Sequence, residues 1–107
     1  MTSSDQEPPK NQVEALINLF TQGRFQNVLI EASQTQKRFP TSVLLYNVCG
    51  GAHMELGQFD LAIENYEKAL LIKPNYADAF CNIGIVQQKK GELNAAIQNY
   101  KKAIKIK

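Results

Sequence analysis

The chain has 107 residues, 44% of them apolar and 21% charged, with a net charge of +2; that is room for one modest core and the composition of an ordinary globular protein. So small a positive excess, spread over several segments, argues against nucleic-acid and membrane-surface partners. No run approaches the ~20 apolar residues of a membrane span, Met1 to Asn11 is too polar for a signal peptide, and Cys49 and Cys81 make no disulfide framework, so a cytoplasmic protein is expected.

In chain order, residues 1–9, with their Ser, Gln, Glu and Pro, are expected to form a flexible lead-in to a single domain over 10–107. Helices are predicted over 10–22, 25–38, 42–56, 59–72, 76–90 and 93–106. Leu61, Ala62, Tyr66, Ala69 and Leu70 share one face of the fourth; Leu93, Ala96, Ile97, Tyr100, Ala103 and Ile104 share one face of the sixth. Gly23, Gly57 and Gly91 follow the first, third and fifth helices, where a positive φ ends a helix and permits a tight turn. Pro40 and Pro74 follow the second and fourth, which they cannot extend.

Those glycines are 34 residues apart, and so are Pro40 and Pro74, Tyr46 and Phe80, Gly50 and Gly84, Ala62 and Ala96, Tyr66 and Tyr100, and Ala69 and Ala103. One period shared by so many pairs marks an internal repeat, with units at about 9–42, 43–76 and 77–107. Each unit has an apolar face that only a neighbouring unit can cover. Gly50 and Gly84 on the first helices, with Ala62 and Ala96 on the second, are expected to let helix backbones approach closely; Tyr46, Tyr66, Phe80 and Tyr100 are expected to fill gaps between units.

These residues resemble the tetratricopeptide repeat family over nearly everything after residue 9. Units two and three carry the pattern, with Cys49 and His53 where Leu and Tyr are usual. Unit one departs further: Gln12, Leu16, Val28 and Thr35 stand where an aromatic, a small residue and two alanines belong, although Gly23 and Pro40 keep the register. The resemblance implies an all-α fold, a right-handed alpha-alpha superhelix of three antiparallel helix-turn-helix repeats.

Chemistry finds little support. His53 lies four residues after Cys49 on one helical face, but both occupy core positions of the repeat, so packing is favoured over a metal site. Cys49 is expected to be buried and inert, Cys81 has no activating base, and no glycine loop cradles a phosphate. No catalytic residue, metal ligand or cofactor site is assigned. Glu64 and Lys68 are expected to pair on the surface.

In the family the first helices line a concave surface that binds peptides. On this chain the residues expected to contact a protein or peptide partner are Val13, Ile17, Phe20, Asn47, Met54 and Ile85. One subclass grips a terminal carboxylate; of its positions, which here hold Val13, Ile17, Val48, Asp78 and Asn82, only Asn82 matches, so no such clamp is expected. Val13, Leu16, Ile17, Leu19 and Phe20 spread around most of the first helix, more apolar surface than one face buries. The chain stops at Lys107 with its sixth helix barely closed. Two expectations stand for that end: a longer protein, with these repeats ahead of a catalytic domain such as a sulfotransferase or glycosyltransferase, which we favour, or self-association of uncapped ends into a homo-oligomer.

Overall fold

The computed structural model describes residues 7–106, which form six α-helices and no strand. They are α1 (Lys10–Thr21), α2 (Phe25–Arg38), α3 (Val43–Glu55), α4 (Phe59–Ile72), α5 (Ala77–Lys89) and α6 (Leu93–Ile106). Every predicted helix is present, shorter than expected by one residue at the end of α1 and at both ends of α3 and α5. Gly23, Gly57 and Gly91 have φ of 77°, 76° and 86°, the left-handed conformation their turns require. Extensive packing joins helices adjacent in the chain, with α3 also touching α5. The result is a slab of 40 × 30 × 18 Å, an all-α helical repeat solenoid rather than a closed globule.

Glycine acts here through the aromatic ring opposite it. A Cβ on Gly50 would lie 2.5–2.7 Å from the Tyr66 ring, and one on Gly84 2.7–3.1 Å from that of Tyr100. The space left by each glycine holds a tyrosine from the second helix of the same unit. Tyr66 also reaches Ala79, Ile83 and Val86 of the following unit and is buried, so it seals both contacts at once. Tyr46 is half-buried, and its hydroxyl reaches back from unit two to unit one, donating to the Pro40 carbonyl at 3.3 Å.

Unit one reverses the pairing. Leu16 takes the place of the glycine and Ala32 the place of the tyrosine, and both are buried with Phe39, Leu45 and Cys49. Volume is conserved across the helix pair, but its size has moved from the second helix to the first. The fit is looser: α1 packs less extensively on α2 than α3 on α4, and a groove of about 660 Å³ opens between them.

The expected flexible lead-in is corrected for the part that is described; residues 1–6 lie outside it. Pro8 is buried, and the Glu7 carboxylate accepts from the Ser42 hydroxyl and from the Val43 amide, the latter at 3.1 Å. Ser42 in turn accepts from the Leu45 amide at 3.1 Å. The free amides at the start of α3 are thus capped by a serine from its own sequence and a carboxylate from before α1, where a negative charge also opposes the helix dipole.

Candidate functional site

Ile17, Gly51 and Ile85 hold equivalent places in the three units. Beside Gly51, the one of these places without a side chain, lies a cavity of about 260 Å³ lined by Ile17, Phe20, Asn47, Val48, Gly51, Met54, Tyr66 and Asn82. The Phe20 ring lies over the missing side chain, 3.1 Å from where a Gly51 Cβ would stand, and meets Phe25 edge-on at 5.1 Å between centroids. Ile17 is 45% exposed at the rim; Phe20, Val48 and Met54 are half-buried.

The polar groups are few. Asn82 Nδ2 donates to Asn47 Oδ1 at 2.9 Å, which leaves the Asn47 amide hydrogens and the Asn82 carbonyl as a donor and an acceptor side by side. The Tyr66 hydroxyl sits at the floor; burial first, then the nearby Glu55 and Tyr76, push its pKa upward and keep it a neutral phenol. No charged side chain lines this cavity. It suits one apolar side chain with a neutral amide beside it.

Four of the residues expected to contact a partner, Ile17, Phe20, Asn47 and Met54, thus meet in one place. Two do not. Val13 is half-buried one turn before Ile17, and Ile85 lines a separate shallow hollow with Gln88 and Lys89, because it belongs to the next step of the repeat. Leu44 opens onto a different hollow, shared with Glu7, Val43 and Tyr76. The pairing of Asn47 with Asn82 was missed; its signal is a spacing of one repeat plus one residue, visible only once adjacent first helices are laid side by side.

The candidate chemical residues are dispersed. Cys49 is buried, and loss of solvation pushes its thiol up to about 11, while Cys81 is exposed on α5. His53 is half-buried rather than in the core, with Nδ1 2.8 Å from Gln58 Oε1. Glu64 and Lys68 form the expected surface pair at 3.5 Å.

Comparison with known proteins bears on the repeat directly. Family models described as TPR repeat and tetratricopeptide repeat match residues 50–91 and 77–107, which together take in all of the chain from Gly50 onward. The chain belongs to the tetratricopeptide repeat family. The uncharacterized protein ycf37 of Guillardia theta is 47% identical over 45 residues, 42% of this tetratricopeptide chain and 25% of that protein, so the matched part spans a quarter of the relative's length. Among solved structures, the second tetratricopeptide domain of Spaghetti (RPAP3), bound to the HSP90 peptide SRMEEVD, superposes with a TM-score of 0.82 at 18% identity. That likeness covers 91% of this chain and 90% of that one. The Yersinia enterocolitica type III secretion chaperone SycD, in complex with a peptide of the translocator YopD, gives 0.83 at 16% identity over 91% of this chain and 74% of that one. At such identities the likeness establishes the fold. No helix among the described residues is long and apolar enough to cross a membrane.

Proposed function

We propose that this tetratricopeptide chain is a non-catalytic protein-interaction module, its residues 10–107 one domain, that takes a peptide or protein segment along its first helices. The observation that carries the reading is the cavity at Gly51, apolar apart from one asparagine pair. An apolar side chain of the partner fills it, and the partner's backbone amide bonds to Asn47 and Asn82. The peptides held by Spaghetti and SycD support this use of the fold. The mode differs from carboxylate capture, since Val13, Ile17, Val48 and Asp78 offer no cation to an anionic terminus. Free thiols at Cys49 and Cys81 fit a reducing compartment such as the cytoplasm. The short match to ycf37 accords with a place for these repeats within a longer protein.

The test is a titration of the chain with short peptides carrying Leu, Met or Phe between neutral residues, followed by amide chemical shifts. Shifts at Gly51, Asn47 and Asn82, and an affinity about tenfold lower for Ile17→Asp or Met54→Asp, are expected. Shifts confined to other surfaces, or equal binding by both variants, would reject the reading.

A further inference from the structure

Unit two lacks two groups that unit three has, and both are missing at the same place. In unit three the Tyr100 hydroxyl donates to Gln88 Oε1 at 2.8 Å, tying α6 to α5. The place of Gln88 is held in unit two by Met54, which carries no oxygen to accept. The place of Ile85 is held by Gly51, three residues earlier on the same face of α3. Tyr66, the counterpart of Tyr100, keeps its ring packed but not its bond. It is 1% exposed, and its hydroxyl has no hydrogen-bond partner among the described residues. That oxygen stands 3.8 Å from where a Gly51 Cβ would be, at the floor of the cavity. No buried side-chain nitrogen or oxygen among the described residues is shut off without a partner, and this one keeps its access through the cavity. Unit one has no such hydroxyl, with Phe20 and Ala32 at the corresponding places.

A guest side chain that closes the cavity takes this hydroxyl out of water. Without an acceptor of its own it leaves a buried donor unbonded, and binding is weakened. A charged end fits poorly, because no charged side chain lines the cavity to balance it. The Glu55 charge, which after burial is the next cause of the raised Tyr66 pKa, opposes a carboxylate in particular. The repeat itself shows what fits: the Gln88 side chain is an apolar stem ending in a neutral carbonyl. We infer that the cavity at Gly51 selects a glutamine of the partner, whose side-chain carbonyl accepts from the Tyr66 hydroxyl as Gln88 accepts from Tyr100. The inference rests on the peptide-binding reading above and sharpens it, since an apolar stem still fills the cavity and its far end meets the phenol. Tyr66 then joins units two and three through its ring and reads the partner through its oxygen.

The experiment uses the 107-residue chain and a set of labelled peptides identical except at one central position, which holds Gln, Met, Glu or Lys among neutral residues. Fluorescence anisotropy measures affinity, and amide chemical shifts locate the contact. Methionine matches the length of glutamine without its strong acceptor. The Gln peptide is expected to bind roughly three- to tenfold more tightly than the Met peptide, and the Glu and Lys peptides more weakly than either. Tyr66→Phe keeps the ring and deletes only the oxygen, and should bring the Gln-to-Met ratio to about one. Its urea midpoint should not fall, because the hydroxyl has no bond in the free chain to lose. Met54→Gln gives Tyr66 the internal acceptor of unit three and should erase the same preference. Binding of the Met peptide at Gly51 with no preference for Gln, or a preference that survives Tyr66→Phe, overturns the inference and leaves the peptide-binding reading standing. Tighter binding of the Glu or Lys peptide overturns it as well. No shift at Gly51 with any of the peptides removes both.

Discussion

At Gly50 two effects of one methyl group oppose each other. Replacing glycine by alanine inside a helix ordinarily stabilises it by ~1 kcal/mol. Here the methyl would stand 2.5 Å from a buried ring that cannot swing away, and overpacking of that kind costs about 1–3 kcal/mol. Gly50→Ala is therefore expected to lower the urea midpoint. Gly84→Ala should cost less, since Tyr100 is only half-buried and has room to move. The double variant Gly50→Leu with Tyr66→Ala copies the Leu16–Ala32 arrangement, and it should be less destabilised than the sum of its single changes. Cys49 makes a second prediction. Its thiol is raised from 9.0 to about 11, so the folded state holds its proton where the unfolded state has lost it. The contribution is complete below pH ~9 and disappears as pH rises through ~11, on the order of 2–3 kcal/mol over that window. Chemical denaturation across the window should show a shallower loss in Cys49→Ala than in the parent chain. At pH ~8 a thiol reagent should label Cys81 and spare Cys49.

Helix starts differ in how they are capped, and α3 depends most on residues remote from it. Ser42→Ala removes a local cap and leaves the Glu7 carboxylate one partner short, a loss of about 1–2 kcal/mol. Glu7→Gln keeps the shape and removes the charge at the helix N-terminus; a smaller loss, about 0.3–1 kcal/mol, is expected. Hydrogen exchange should report both changes first at the Val43 and Leu45 amides. Helix α1 is the weakest element by the same kind of reasoning. Only Leu16 among its residues is buried, it has no side-chain cap, and a groove separates it from α2.

Across the molecule, stability follows from contacts between neighbours in the chain, so opening is expected to begin at an end. Amides of α1 should exchange faster than those of α3 and α4, whose packing includes the fully buried Tyr66 and Leu45. Mass spectrometry of peptides covering 10–21 and 43–72 measures the difference, and equal protection would contradict a hierarchy set by local packing. The proposed partner surface lies beside Gly51, where unit two omits a side chain.

How much of this was legible in the residues varies with the range of the interaction. The interval of 34 residues, the positive-φ glycines and the helix-ending prolines determined six helices in three pairs, because helix and turn preferences act over a few residues and a repeat exposes itself by recurrence. Ile17, Phe20 and Met54, which line the candidate cavity, could be placed on the first-helix surface through the family resemblance that the repeat carries. Only the tertiary structure decided that glycine faces a tyrosine ring, that Asn47 meets Asn82, and that Glu7 caps a helix 36 residues later. Each of these depends on the separation and rotation of packed helices, and no pattern along a single helix encodes those quantities.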